Sequence, residues 1–138
     1  MRVDVGTWAE VEHTADRAVW LRAESMEDLL ATAASALYAL LTRLDAVRVE
    51  QQVSLRLAAP DAESLLVDWL NELLYYCDVH GLAFVAFRFE RVSTTGVEAV
   101  ASGGQRGEVI SYIKAATYHN LEVRRTVAGF EATVVFDM

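Results

Sequence analysis

The chain has 138 residues and a mass of 15.3 kDa, and its net charge of −8, from 20 acidic and 12 basic residues, argues against binding bare nucleic acid, where affinity rests on Lys and Arg neutralising phosphates. A hydrophobic content of 54% with one Pro and seven Gly leaves little for disordered linkers, so one globular domain over residues 1–138 is expected. Charges interrupt every apolar run before the roughly 20 residues of a membrane span, no secretion signal opens the chain, and the single cysteine, Cys77, excludes an internal disulfide, which together predict a cytoplasmic protein.

Alternating apolar and polar residues predict two short strands, Thr7 to His13 and Ala18 to Ala23, with Thr14-Ala15-Asp16 in the turn between them. Ser25 is placed to cap a helix, with Asp28 three positions on, and Met26, Leu29, Leu30, Ala33, Leu37, Leu40 and Leu41 follow helical spacing to about Thr42. Val47 to Leu57 alternates as a third strand and stops before Pro60. From Asp61, a second N-cap, an apolar stripe through Leu65, Leu66, Trp69, Leu70, Leu73, Tyr76 and Cys77 predicts a helix closed by Gly81.

Ala83 to Val92 and Gly96 to Ala101 read as a hairpin, and Gly103-Gly104-Gln105-Arg106-Gly107 as a loop. Glu108 to Ala116 fits helical and strand periods equally. Tyr118 to Thr126 and Phe130 to Met138, around Val127-Ala128-Gly129, read as a closing hairpin. The total is an α+β domain: a mostly antiparallel sheet of about seven strands packed with two main helices.

Chemistry-bearing residues concentrate at the chain ends. Glu12-His13-Thr14-Ala15-Asp16 sets two carboxylates and an imidazole at a strand end, where Asp16 serves either as a turn cap or as an oxygen ligand for a hard cation. Val134-Val135-Phe136 runs into Asp137 and Met138, placing a side-chain carboxylate beside the α-carboxylate. Like charges so close need a cation or a basic side chain unless water solvates them. Asp68, Asn71, Glu72 and Tyr75 share a face of the second helix, ordinarily a solvated one. Lys114 and Thr117-Tyr118-His119-Asn120 gather polar groups between apolar stretches. Cys77, on the apolar stripe, reads as a buried, inert thiol, and the Gly103-Gly104 loop lacks the Lys-Ser or Lys-Thr of a phosphate-binding loop.

Three stretches resemble the archease family: His13-Thr14-Ala15-Asp16; Leu65-Leu66-Val67-Asp68-Trp69-Leu70-Asn71-Glu72-Leu73-Leu74-Tyr75; and Lys114-Ala115-Ala116-Thr117-Tyr118-His119-Asn120-Leu121-Glu122-Val123 with the closing Val134-Val135-Phe136-Asp137. The resemblance implies a cytoplasmic protein cofactor, not an enzyme, that stimulates guanylylation and multiple turnover of an RtcB-type tRNA-splicing RNA ligase. It implies no substrate of the chain's own. It also implies a divalent-cation site at Asp16, Asp137 and Met138, with Ca²⁺ ahead of Mg²⁺, and makes Glu72 and Lys114 partner-facing or site-supporting. Two positions depart from the family pattern: Arg17-Ala18 follows Asp16 where Ile or Val with Gly is more usual, and the loop before Lys114 is short, without a histidine-bearing insert. The rival readings are a metal-dependent hydrolase and a general chaperone.

Overall fold

The computed structural model describes residues 6–11 and 16–138. In chain order the elements are β1 (Gly6–Val11), β2 (Arg17–Ala23), α1 (Met26–Leu41), β3 (Gln51–Ala58), α2 (Ala62–His80), β4 (Leu82–Ser93), β5 (Gly96–Gln105), β6 (Ala115–Ala116), β7 (Arg124–Thr126) and β8 (Gly129–Asp137). The strands form two antiparallel sheets. One is five-stranded, in the order β1-β2-β8-β6 with β7 also on β8, and the other is β3-β5-β4.

Both helices begin at the predicted caps. The Ser25 hydroxyl accepts from the Asp28 amide at 3.1 Å, and the Asp61 carboxylate accepts from the Ser64 amide at 2.7 Å, a bond that holds the Asp61 carboxyl below its ordinary range. α2 ends at Gly81, whose φ of 66° is the left-handed conformation that glycine adopts without strain. Arg106 completes that end: its amide donates to the Gly81 carbonyl and its side chain to the Cys77 carbonyl.

The helices pack on one another and on both sheets. Val19, Leu21 and Ala23 of β2 alternate into the core with Ala132, Val134 and Phe136 of β8. Trp69 joins the layers. Its indole N–H donates to the Leu30 carbonyl of α1 at 2.9 Å, and its ring lies 5.1 Å from Phe87 and 5.9 Å from Phe89 of β4. Each fully buried Leu or Phe here contributes about 1.5–3 kcal/mol by leaving water. No helix among the described residues is long and apolar enough to cross a membrane.

The α+β class and both helices agree with the sequence reading, with eight strands among the described residues against about seven expected. Four segments differ, apart from the first predicted strand, whose end falls on undescribed residues. The described part of that strand is β1, Gly6–Val11, and residues 12 and 13 lie outside the described residues. β3 starts at Gln51, four residues after Val47. Gly103 and Gly104 belong to β5 and not to a loop. A Cβ at Gly103 would lie 2.0 Å from the Ala83 carbonyl oxygen and one at Gly104 2.0 Å from that of Arg48, so these glycines permit close backbone approach within a strand. Of the two remaining runs, Glu108 to Ala116 is neither helix nor long strand, because its backbone finishes α1: Ile110 N–H donates to the Leu41 carbonyl, and Thr42 Oγ1 to the Glu108 carbonyl. Tyr118 to Thr126 keeps only β7. Asn120, at φ 51°, and a Leu121 N–H to Tyr118 carbonyl bond turn the chain before it.

Candidate functional site

Strands from the first and last parts of the chain, β2 and β8, meet in the five-stranded sheet. β2 runs antiparallel to β8 with Arg17 opposite Phe136, so Asp16 and Asp137 occupy adjacent strand ends one residue further on. β6 completes the group from the other side of β8, with Ala115 opposite Asp137 and the Lys114 amide donating to the Asp137 carbonyl at 2.8 Å. Phe136 is buried, and alternation therefore turns Asp137, which is exposed, to the opposite face. The Met138 side chain packs on the core and anchors the residue that follows β8.

Of the residues singled out from the sequence, Asp16, Lys114, Asp137 and Met138 thus converge on one sheet end. Glu12, His13, Thr14 and Ala15 lie outside the described residues. Glu72 is half-buried on α2 and makes no ion pair among the described residues; its neighbour Asn71 bonds to Ala116, two residues from Lys114. Asp68 and Tyr75 are exposed, as a solvated helix face requires. Cys77 is buried, and burial pushes its thiol above its ordinary value with the Arg106 charge opposing, which fits an inert thiol.

Three side chains position this end in roles that the sequence reading did not give them. Asn71 Oδ1 accepts from the Ala116 amide at 2.8 Å while Nδ2 donates to the Ala116 carbonyl at 3.3 Å, so one amide group serves the open edge of β6 as a neighbouring strand would. The signal was available: Asn71 stands four residues after Val67 and three before Leu74, both buried, and is a polar group bordering an apolar stripe. Arg17 and Glu10 form the second device. Arg17 donates to both Glu10 carboxylate oxygens, at 2.7 and 2.9 Å, and to the Ser111 hydroxyl at 3.0 Å, tying β1, the start of β2 and the segment before β6 together. The Arg17 hydrogen bonds lower the Glu10 pKa, and those bonds raise that of Arg17.

Two carboxylates with main-chain oxygens beside them would make a hard-oxygen set, suited to Ca²⁺ or Mg²⁺ more than to zinc. Among the described residues no three of His, Cys, Asp and Glu gather closely enough to hold a metal unaided. Asp16 and Asp137 would therefore need an oxygen of Met138 and water to complete a coordination shell. That donor chemistry fits a hydrated alkaline-earth cation.

Comparison with known proteins bears on the whole chain. The family model described as the archease protein family (MTH1598/TM1083) matches residues 8–138. The protein archease of Methanopyrus kandleri is 37% identical over 138 residues, covering 95% of this chain and 99% of that protein, and that of Methanosarcina mazei is 35% identical, covering 93% of each. Among solved structures, Methanobacterium thermoautotrophicum protein 1598 superposes with a TM-score of 0.76 at 24% identity, covering 95% of this chain and 98% of that one. An archease from Thermotoga maritima, described as a possible chaperone, gives 0.67 at 24% identity, covering 93% and 94%.

Proposed function

The chain belongs to the archease family, and from that premise we propose that it is a protein cofactor which presents a divalent cation at the Asp16–Asp137 sheet end to an RtcB-type RNA ligase and promotes the ligase's guanylylation and turnover. The observation that carries the reading is the β2–β8–β6 register, which gathers residues from both chain ends and the Lys114 segment at one exposed edge.

Asp16 and Asp137 supply the charged oxygens, with Met138 and water filling the shell. β8 fixes Asp137 by pairing on both sides, and the Arg17 clamp holds the strand start that carries Asp16. Lys114 and Glu72 flank this end and contribute to the surface met by the ligase. When bound, the cation supplies charge neutralisation for phosphate oxygens of the nucleotide on the ligase. On this reading the chain itself performs no hydrolysis or ligation.

The test is a guanylylation and multiple-turnover assay of the same organism's ligase with catalytic amounts of the wild type, Asp16→Ala or Asp137→Ala. Calcium calorimetry and thermal melts run alongside. The expected result is stimulation by the wild type alone, loss of cation binding in both variants, and stability within about 0.5 kcal/mol of the parent, as for surface substitutions. Absence of stimulation by the wild type sinks the proposal, while variants that still bind cation sink the metal assignment. Hydrolysis of GTP by the pure protein that disappears in Asp16→Ala would make it an enzyme instead.

A further inference from the structure

β4 is a sheet edge, since β5 pairs with one side and no described strand with the other. Such an edge carries N–H and C=O groups left for water, a side chain or another main chain to satisfy. At 12 residues β4 is long for an edge strand.

α1 packs alongside, leaving a groove of about 300 Å³ whose floor is Ala31, Ala34 and Ser35 of the helix and whose walls include Tyr38 and Phe87. A second hollow of about 220 Å³ shares Glu27 and Phe89 with it and continues to Val92, so the concavity follows β4 from Phe84 onward. Small side chains on the helix leave room for a backbone beside the strand. Tyr38 lines this groove with its hydroxyl buried beside the Phe84 main chain, and burial pushes that hydroxyl's pKa up.

The occupant's chemistry follows from the lining. Among the described residues Glu27 and Asp28 are the only charged ones around the first hollow, and Glu27 and Glu90 outnumber Arg91 around the second, so a basic side chain suits that end. Register shifts at Phe84/Ala86 and at Phe89/Arg91 interrupt the edge, and bulges of this kind oppose long strand pairing between two copies while leaving the short run between them open.

We propose that the α1–β4 groove docks an extended peptide segment of a partner protein, which adds as a strand to the free edge of β4, sets an apolar side chain over Ala31 and Ala34, and places a Lys or Arg beside Glu27. This is recognition by strand addition, in which main-chain bonds give affinity and alternate side-chain pockets give selectivity. It uses none of Asp16, Asp137 or Lys114, and stands apart from the ligase reading.

The experiment pans a phage-displayed random peptide library against the full chain. Enriched peptides are titrated by fluorescence polarisation and mapped by amide hydrogen exchange. Ala31→Arg fills the groove from a half-exposed helix position, and Glu27→Gln removes the charge at an exposed one; thermal melts confirm that both fold. Expected are enriched peptides combining an apolar residue with Lys or Arg, slowed exchange within residues 85–92, and binding weakened by on the order of tenfold in Ala31→Arg. The proposal is overturned by failure to enrich any peptide, by peptides that bind Ala31→Arg as they bind wild type, or by protection elsewhere. Sedimentation that shows a dimer dissolved by Ala31→Arg assigns the groove to a second copy and also overturns it.

Discussion

Replacing Asn71 with Ala removes a side chain that bonds both main-chain groups of Ala116, a residue only 4% exposed. β6 is two residues long, and its other side is occupied by β8, so among the described residues nothing else serves those groups. An unsatisfied buried polar group costs about 1–3 kcal/mol. The longer 3.3 Å bond is the weaker of the two, and Asn71 is itself half-buried, so water recovers part of the loss. The net expectation is about 2–3 kcal/mol, or a fall in Tm of about 6–10 °C for a chain of this length. Guanidinium denaturation measures the first figure, and amide exchange at Ala116 locates it. Asn71→Asp sharpens the test, because it keeps the acceptor for the Ala116 amide but sets an oxygen against the Ala116 carbonyl. Protonation of that carboxyl restores a donor, so its defect should shrink as the pH falls. A stability for Asn71→Ala within about 0.5 kcal/mol of wild type, with the Ala116 amide still protected, would refute the reasoning.

Other consequences are as direct. Hydrogen bonds from Arg17 hold the Glu10 carboxyl below its ordinary value, so the pair stabilises the fold above the unfolded carboxylate pKa of about 4.3, and that contribution is lost as the pH falls through the lower folded value. With Glu10 41% and Arg17 31% exposed, the effect stays under about 1 kcal/mol, and Glu10→Gln should flatten the acid limb of the stability–pH curve; an unchanged limb rejects the clamp. Gly103→Ala drives a methyl into the Ala83 carbonyl and should cost about 3 kcal/mol or more, read by denaturation, whereas near-neutral behaviour would mean that the strands separate easily. Cys77 should resist a thiol reagent at neutral pH in the native protein and react fully in denaturant; rapid native labelling would contradict its burial.

The helices were legible because their determinants are local: Ser25, Asp61 and Gly81 act on groups within a few residues, and the apolar stripes need only one partner surface. Charge and donor chemistry suggested Asp16, Asp137 and Met138 as one oxygen set, and the resemblance named the same three. Their proximity depends on β2 pairing with β8, which no local pattern encodes. Gly103 and Gly104 misled because the usual reading of paired glycines is a turn, while here each yields space to a carbonyl from a segment distant in sequence. Asn71 was assigned to a solvated face by spacing alone; the group it serves, Ala116, sits 45 residues away. Glu10 and Arg17 meet only after the β1–β2 hairpin forms.

The pairing of β2 with β8 also governs how the protein arrives at its native state. It closes a loop of about 120 residues, from Arg17 to Phe136, and closure entropy of that kind must be overcome before the contacts repay it. Topologies dominated by such distant pairings fold slowly, so this sheet is expected to complete late, after the two helices and the β4–β5 hairpin. Any ligand that engages both strand ends then behaves as a reversible staple across the longest loop in the chain. It stabilises only molecules in which that loop has closed, and its occupancy reports on the integrity of the whole sheet.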